Sequence, residues 1–371
     1  MTKNKIKKVL VIRFSSIGDI VLTTPVVRCV KKQLSAEVHY LTKNSFQKVI
    51  SSNPYLDKIY SIDKKVSEVL SQLKAENYDC IIDLHKNLRS KQVKWALRVP
   101  YFTFDKINWE KWLMVNLKIN KLPEIHIVDR YMAAVKPLGV SYDGEGLEPP
   151  PTPKGASQNQ TEYRTRNKEQ GISKESRISG TSKFEIPCSL FNILKEFNPL
   201  GSLGARGYIC FAIGGAHATK RLPISKIIAI CKQINLPVIL IGGPDDATIG
   251  EKVVLEVKKD TIINACGKTS LEESAMIIEY ARKVITHDTG MMHIAAAYQK
   301  PIISIWGNTI PEFGMYPFYK KGVNNNVSIE VKDLSCRPCS KIGYAQCPKG
   351  HFKCMMDIDI KEIIDLTNEE D

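Results

Sequence analysis

The chain has 371 residues, 43% of them hydrophobic and 25% charged, which is ordinary for a globular protein and excludes a disordered or membrane-embedded one. Its 53 Lys and Arg exceed its 39 Asp and Glu and give a formal net charge of +14, which favours anionic partners. No apolar run approaches the ~20 residues that cross a bilayer, and the run at 9–12 is shorter than the ~7 to 15 residues of a signal sequence. We therefore expect a cytoplasmic protein with two domains, and no recognised motif makes nucleic acid a partner.

The first 140 residues alternate short β-type runs with segments of helical length. Such alternation is typical of parallel βαβ units and predicts a Rossmann-like domain. The predicted strands cover residues 9–14, 38–41, 59–62, 80–84 and 125–128.

A glycine-containing turn follows the first of these strands. Ser16, Gly18 and Asp19 lie where the strand ends and the next helix begins. A helix start leaves backbone N–H groups unpaired and carries partial positive charge, which suits an anionic ligand. Asp19 is a candidate general base, although an acid in the first turn of a helix is also explained by the helix dipole alone.

A polar segment ends the fourth predicted strand and continues beyond it. It contains Asp83, His85, Lys86, Asn87 and Arg89, and it faces the cleft if two domains meet there. A phosphorylated sugar acceptor would suit these side chains. A solvent-facing polar helix start explains them equally well, because no spacing here demands chemistry.

Residues 141–204 connect the two halves of the chain. Within them, residues 141–182 are rich in Pro, Gly, Ser, Thr, Asn, Gln and charge, and they contain few large apolar side chains. Such a segment cannot bury enough apolar surface to order itself, so we predict a flexible insertion. A loop that binds the acceptor is the alternative.

A second βαβ series occupies residues 205–335. Its first strand also leads into a glycine turn, at Gly214 and Gly215. Ligands of open α/β sheets bind beyond the carboxyl ends of the strands, so two facing halves define a cleft. The predicted fold class is therefore α/β with two Rossmann-like domains of parallel strands. The strands of this half cover residues 208–213, 238–242, 262–265, 283–286 and 301–306.

Two segments of the second half have groups that suit a nucleoside diphosphate. Thr219, Lys220 and Arg221 follow the glycine turn, where two cations can face phosphate or form a solvated basic turn. Asp245 follows the next strand. Its carboxylate can accept hydrogen bonds from ribose hydroxyls, or it can simply begin a helix.

Residues 286–296, Thr-His-Asp-Thr-Gly-Met-Met-His-Ile-Ala-Ala, form another strand-to-helix turn. The backbone N–H groups from Thr289 to Met292, including Gly290 and Met291, would hold a diphosphate. Asp288 can contact a sugar hydroxyl, and His293 can brace the phosphate or the turn. A purely structural turn is the alternative, and the adjacent His287 is expected to be a packing residue.

Four cysteines near the end of the chain stand apart from six scattered ones. Cys336, Cys339, Cys347 and Cys354 could bind a structural zinc through four thiolates, with His351 among them. Reduced thiols without a ligand and redox pairing are the alternatives, since disulfides are disfavoured in the cytoplasm. Nothing in the sequence indicates catalytic zinc.

Three motifs in this order resemble the lipopolysaccharide heptosyltransferases of glycosyltransferase family 9. They are R-F-S-S-I-G-D-I-V-L-T-T-P near the start, then H-D-T-G-M-M-H-I-A-A-A and P-I-I-S-I-W-G. The resemblance spans most of the chain. It implies a GT-B architecture and an inverting transfer, in which residues before about 140 bind the acceptor and residues after about 205 bind the donor.

The resemblance also implies roles for individual residues. Asp19 matches the catalytic aspartate, and Ser16, Gly18, Asn87 and Arg89 are expected on the acceptor side. The donor side comprises Thr219, Lys220, Arg221, Asp245, Asp288, Thr289, Gly290, Met291 and His293. No cofactor is expected for catalysis, because the cations of the second domain would replace a metal at the diphosphate.

The family further suggests ADP-heptose as the donor and a lipopolysaccharide core as the acceptor, at the inner face of the cytoplasmic membrane. We predict domains at 1–140 and 205–335, joined by the 141–204 linker. A Cys-rich segment and a C-terminal helix at 336–371 are expected to pack back toward the first domain. The rival hypothesis is a non-catalytic protein of the same fold that binds a nucleotide sugar or a lipid phosphate.

Overall fold

The computed structural model describes residues 6–152 and 207–369. They form two sheets in which every pair of neighbouring strands is parallel, as the sequence predicts for an α/β protein. Within these residues, no helix combines the length and apolar composition needed to cross a bilayer.

The first sheet has five strands in the order β3-β2-β1-β4-β5. Its strands are β1 (Lys8–Ile12), β2 (Glu37–Lys43), β3 (Lys58–Ile62), β4 (Cys80–Asp83) and β5 (Tyr101–Thr103). Its helices are α1 (Ile17–Val21), α2 (Thr24–Leu34), α3 (Leu70–Ala75), α4 (Leu88–Leu97), α5 (Asn108–Leu117) and α6 (Ile127–Val135).

The central strand β1 is covered on both faces, which explains its continuous apolar sequence. Side chains alternate between the faces of a strand. Val9 and Val11 therefore pack in one core, and Leu10 and Ile12 pack in another.

The second sheet has six strands in the order β11-β10-β9-β6-β7-β8. They are β6 (Ile209–Ala212), β7 (Val238–Ile241), β8 (Ile262–Asn264), β9 (Lys283–His287), β10 (Ile302–Trp306) and β11 (Asn326–Glu330). The helices that follow are α7 (Ile224–Gln233), α8 (Ala247–Val257), α9 (Leu271–Tyr280), α10 (Gly290–Ala297), α11 (Lys353–Met356) and α12 (Ile360–Asn368).

Three details differ from the prediction. The expected strand at 125–128 is wrong, because His126 caps helix α6 and the fifth strand is the three-residue β5 instead. Strand β11 was not predicted. The C-terminal helix α12 packs on the second domain, because Ile363 and Ile364 extend the core beneath α7 rather than reaching the first domain.

The beginning of the predicted linker is anchored to both halves. Buried Arg28 of α2 binds Asp143 through Nε and NH2 at 2.8 and 2.7 Å, and Glu148 through NH1 at 2.6 Å. Tyr298 of the second half donates to the carbonyl of Pro150 at 3.0 Å. Residues 141–152 therefore lack the flexibility that we predicted from composition, and the rest of the insertion lies outside the described residues.

His126 joins the two halves through its neutral ring. Its Nδ1 accepts from the backbone N–H of Val128 at 3.1 Å, and its Nε2 donates to the carbonyl of Tyr316 at 2.9 Å. The ring also stacks on Phe318. Burial lowers the pKa of His126 to about 3, because a second ring proton would lose its solvation and displace the Val128 contact.

We expect the protein to lose stability as the pH falls from about 6.5 toward 4. The unfolded chain binds a proton at each histidine near pH 6.5, whereas burial lowers the pKa of folded His126 to about 3. Folded His85, His287 and His293 have pKa values lowered to about 4, also by burial. The contribution of these histidines to the free energy of unfolding is therefore fully present above about pH 6.5. It decreases at lower pH as the unfolded state takes up protons.

Urea denaturation at pH 7.5, 6 and 5 measures this dependence. His126→Asn keeps a side chain that can cap α6, so its free energy of unfolding should fall less steeply with pH than that of the wild type. Exposed His351→Asn is the control and should follow the wild type. If the free energy of unfolding changed equally with pH in both variants, His126 would not be a source of the pH dependence.

Candidate active site between the two sheets

Two strand-to-helix turns, one from each domain, meet at backbone distance. A Cβ on Gly18 of α1 would lie 2.5 Å from Cδ2 of His293. A Cβ on Gly290 of α10 would lie 3.0 Å from Cβ of Ile17. Because neither glycine has a side chain, the amino ends of both helices face one space at the carboxyl ends of β1 and β9.

Asp19 occupies this junction and is held by two neighbours. Its Oδ1 lies 2.7 Å from NH2 of Arg13, and its Oδ2 accepts from the backbone N–H and hydroxyl of Ser16 at 3.2 and 2.8 Å. The side chain remains 22% exposed. Burial alone would raise the pKa of Asp19, but Arg13 and Ser16 outweigh it and lower the value, so the carboxylate is ionised at neutral pH.

Arg13 is a site residue that the sequence reasoning missed. Its NH1 donates to the carbonyl of Leu84 at 2.5 Å and to the hydroxyl of Tyr131 at 3.0 Å. These partners fix the guanidinium beside Asp19. The sequence did contain a signal for Arg13, because it is a cation directly after a buried strand and lies within the first motif of the resemblance.

On the donor side, Lys220 and Asp288 bind each other. The ammonium lies 2.5 Å from Oδ2 of Asp288, which also accepts from the hydroxyl of Thr309 at 2.8 Å. Both charged side chains are mostly buried and lie beside the amino end of α10. The pair therefore places one cation and one acceptor next to the predicted diphosphate position.

A second pair on the donor side involves Asp246 rather than the predicted Asp245. Buried Asp246 binds Arg221 at 3.0 Å and accepts from the N–H of Gly243 at 2.9 Å. Asp245 points to solvent, where a ligand could reach it. Adjacent acids in Pro-Asp-Asp give no sequence signal for which of them faces inward.

The turn before α10 combines accessible backbone with buried histidines. Thr289 is its N-cap, and Gly290 and Met291 are partly exposed. His293 is 3% exposed, and burial lowers its pKa to about 4, so its ring is neutral at the domain junction. His287 packs as predicted: it is fully buried and its Nε2 accepts from the N–H of Leu222 at 3.0 Å.

Three predicted residues have other partners. Buried Thr219 exchanges hydrogen bonds with the backbone of Tyr344, so its hydroxyl is directed to the Cys-rich segment. Asn87 caps α4 by accepting from the N–H of Ser90 at 3.0 Å. Arg89 donates to the carbonyl of Lys64 at 3.2 Å. The polar helix start that we kept as an alternative explains Asn87.

The four C-terminal cysteines are not spaced for a zinc tetrahedron in this structure. Zinc–sulfur bonds of about 2.3 Å would bring the sulfurs to roughly 3.8 Å from one another. Among the described residues, no three of the ligand atoms of these cysteines and His351 lie within 4.8 Å of one another. Cys336 instead lies 3.8 Å from Nε2 of His351. These positions are those of free thiols, one of the three alternatives, and the zinc site stays a prediction.

The described residues contain one group with metal-ligand spacing, Glu37, His39 and Glu76. Lys8 lies 3.1 and 2.7 Å from the two carboxylates, and Lys58 lies 2.7 Å from Glu76. Because these cations already neutralise the acids, we assign the group to an ion-pair network at the amino ends of the strands.

Residues 66–348 match the profile of glycosyltransferase family 9 (heptosyltransferase). The chain is 24% identical to lipopolysaccharide heptosyltransferase 1 of Campylobacter coli over 98% of both chains.

Two solved structures share the fold. One is a family 9 glycosyltransferase of Veillonella parvula, with a TM-score of 0.67, 22% identity and coverage of 97% of this chain and 95% of that one. The other is the ADP-heptose lipopolysaccharide heptosyltransferase II of Escherichia coli, with a TM-score of 0.64, 18% identity and 96% coverage of both. The likeness confirms the predicted GT-B architecture.

We expect Gly18→Ala to destabilise the protein by about 1–3 kcal/mol, because its methyl group would overlap the His293 ring. Gly243→Ala is the matched control, since its Cβ would lie 3.8 Å from Oδ2 of Asp246, an ordinary contact, and its φ is −73°. Urea denaturation measures both. Equal stability of the two variants would show that the turns do not touch in solution.

Proposed function

The chain belongs to glycosyltransferase family 9 and is a glycosyltransferase, and from this premise we propose that it transfers heptose from ADP-heptose to a lipopolysaccharide core with inversion. The names of the relatives in Campylobacter coli and Escherichia coli support this choice of donor and acceptor.

One observation carries the proposal: the turn that bears Asp19 abuts the turn that begins α10. Transfer of a sugar from a nucleoside diphosphate requires a base on one side of the anomeric carbon and anion-stabilising groups on the other. Here the candidate base, Asp19, belongs to the first domain, and the groups that would bind the diphosphate belong to the second. A sugar bound at the junction would therefore have a base on one side and anion-stabilising groups on the other.

In the proposed reaction, the proton of the acceptor hydroxyl moves to the carboxylate of Asp19. The hydroxyl oxygen forms a bond to the anomeric carbon as the bond from that carbon to the diphosphate oxygen breaks. The leaving nucleoside diphosphate keeps the electron pair. Because attack and departure occur on opposite faces, the anomeric configuration inverts.

The departing charge would be stabilised by groups of the second domain. Lys220 has three N–H donors and can bind phosphate while it keeps Asp288. The N–H groups of Thr289, Gly290 and Met291 and the amino end of α10 add dipolar stabilisation. Asp288, Arg221 and His293 line the same space, and exposed Asp245 would reach the nucleoside. We infer that these groups act without a metal.

We expect Asp19→Asn to reduce kcat by about 10²–10⁴-fold, because the amide cannot accept the acceptor proton. The amide oxygen can still cap α1, so ADP affinity measured by calorimetry should change little. Transfer is measured as ADP release from ADP-heptose with lipopolysaccharide core as the acceptor.

Asp129→Asn is the matched control, since Asp129 also lies in the first turn of a helix but is exposed. Wild-type turnover by the Asp19 variant would remove Asp19 as the base. Wild-type protein that binds ADP but neither transfers nor hydrolyses the donor would favour the non-catalytic binding protein.

We further infer that the first domain docks on an anionic lipid surface, where a lipid-linked acceptor resides. Residues 86–121 contain nine Lys or Arg against two Asp or Glu, together with three of the four tryptophans of the chain. Helix α5 buries none of its residues. Its Trp109 and Trp112 stack at 5.2 Å and are 65% and 46% exposed. Tryptophans with flanking cations suit the headgroup region of an anionic bilayer.

We expect the double variant Trp109→Ser, Trp112→Ser to bind anionic vesicles about tenfold more weakly than the wild type, because it loses amphipathic surface. Vesicle sedimentation with and without phosphatidylglycerol measures binding. Leu255→Ser, at a residue of α8 that is 71% exposed, is the control. Equal binding by all three proteins would contradict docking through α5.

A further inference from the structure

A row of hydrogen bonds runs along the carboxyl edge of the second sheet. The neighbouring strands β11, β10, β9 and β6 are all parallel, so the residues that follow them meet at one edge. Lys220 lies in the turn after β6, Asp288 follows β9, and Thr309 follows β10. Arg337 lies in the Cys-rich segment after β11. Ligands of open α/β sheets bind at this edge, so the row borders the proposed donor site.

Asp288 is held through one of its two carboxylate oxygens. Its Oδ2 accepts from the ammonium of Lys220 at 2.5 Å and from the hydroxyl of Thr309 at 2.8 Å. Its Oδ1 has no hydrogen bond to any residue that the structure describes. The side chain is 11% exposed. Oδ1 is therefore the oxygen that remains available to a ligand.

The two donors on Oδ2 differ in what they fix. The ammonium of Lys220 is a compact charge that can turn between both oxygens of a carboxylate, and it must also bind phosphate in the proposed reaction. The last torsion of an aspartate side chain is broad, so an ion pair alone leaves the carboxylate free to rotate. Thr309 is 1% exposed, and the rotation of its β-branched side chain is restricted. Its hydroxyl therefore determines which oxygen of Asp288 stays available.

Arg337 fixes the backbone that carries this hydroxyl. Its Nε donates to the carbonyl of Gly307 at 2.6 Å, and its NH2 donates to the carbonyl of Thr309 at 2.8 Å. Glu330, the last residue of β11, binds the same NH2 at 2.5 Å. The donors of a guanidinium lie in one rigid plane, so two carbonyls bound at once hold residues 307–309 in a single orientation.

Residues 307–309 also pack against the turn that bears Lys220. A Cβ on Gly307 would lie 2.7 Å from the carbonyl oxygen of Thr219, the residue before Lys220. Because glycine has no side chain, the two backbones can approach this closely. The segment therefore lies between the turn of Lys220 and the side chain of Asp288, and it fixes one relative to the other.

We propose that Thr309 and Arg337 are positioning residues, which hold Asp288 so that its Oδ1 accepts a hydrogen bond from a hydroxyl of the transferred sugar. The inference rests on the proposed transfer and specifies how the donor sugar is recognised. A sugar hydroxyl has a proton to donate, whereas an ionised phosphate oxygen has none. A carboxylate oxygen without a partner therefore suits the sugar, and Lys220 binds the diphosphate beside it.

The decisive variant is Thr309→Val, which keeps the shape of threonine and lacks the hydroxyl. Calorimetry without acceptor should give an affinity for ADP-heptose about tenfold lower than that of the wild type, because Asp288 loses its fixed orientation. The affinity for ADP, which has no transferred sugar, should change by less than about twofold. Thr309→Ser keeps a hydroxyl and should recover most of the lost affinity.

Thr42→Val is the matched control. Thr42 of β2 is fully buried, and its hydroxyl has no hydrogen-bond partner in the described part of the chain. The variant therefore removes a buried threonine hydroxyl from the first domain and leaves the donor side unchanged. It should bind ADP and ADP-heptose as the wild type does.

The two ligands separate a positioning role from a structural one. Equal losses of affinity for ADP and ADP-heptose in Thr309→Val would overturn the proposal, because a distorted fold or a displaced Lys220 weakens both ligands. Unchanged affinity for ADP-heptose would also overturn it, and so would equal affinity of the wild type for the two ligands. These outcomes leave the proposed reaction standing if the wild type transfers heptose to the core acceptor. A selective loss of ADP-heptose affinity supports the positioning role even if no transfer is found.

A double-mutant cycle tests whether Arg337 acts through Thr309. Arg337→Lys keeps a cation near Glu330 but cannot bind two carbonyls with one rigid plane. Alone, it should weaken ADP-heptose binding selectively, as Thr309→Val does. Combined with Thr309→Val, it should add less than about twofold, because the effects of residues in one hydrogen-bond network are not additive. Additive losses would overturn Arg337 as a positioning residue.

Discussion

The approach of Gly18 to Gly290 determines the geometry of the cleft. Each glycine begins or lies in the first turn of a helix, and a Cβ on either one would come within 3.0 Å of the opposite domain. The helices therefore direct their amino ends, with their partial positive charges, at a common space. The carboxylate of Asp19 already offsets part of this positive charge at α1, and a bound diphosphate would add negative charge at α10.

The ionisation of the nearby side chains follows from this constraint. Asp19 remains a carboxylate because Arg13 and Ser16 offset its burial. His293 remains neutral because burial disfavours its charged form and Lys220 adds to that effect. A cationic His293 would place a further positive charge beside two helix amino ends. The junction thus holds the carboxylate of Asp19 as a fixed anion and places no cationic histidine beside it.

The sequence predicted the central strands, the order of the two domains and the turns that meet, because these features depend on local patterns. Continuous apolar runs marked β1 and β9, and glycines marked the turns. The three residues of the edge strand β5 are exposed or half-buried, so no buried apolar run marked it. The run at 125–128 was mistaken for a strand because its apolar residues begin the amphipathic helix α6. The choice between Asp245 and Asp246 depends on how a short turn is oriented by Arg221.

Partners from distant parts of the chain were least accessible to sequence reasoning. Arg130 follows Ile127 by three residues and precedes Ala134 by four, so helical periodicity alone places it on the buried face of α6. A cation at a core position was therefore a readable signal. Its carbonyl partner Phe313 lies 183 residues away, and no local pattern indicates that contact.

The two explanations of Asp19, helix cap and general base, are compatible and depend on each other. A carboxylate has about four lone-pair positions. Because the contacts with Arg13 and Ser16 leave Asp19 partly exposed, it can still accept a hydrogen bond from another donor. Those contacts also fix the side-chain orientation before substrate binds. Because a base must lie within hydrogen-bond reach of the proton that it removes, the cap that stabilises α1 is also what would position the carboxylate for catalysis. The lowered pKa makes Asp19 a weak base but keeps it unprotonated, which suits a reaction in which proton transfer accompanies departure of a stabilised diphosphate.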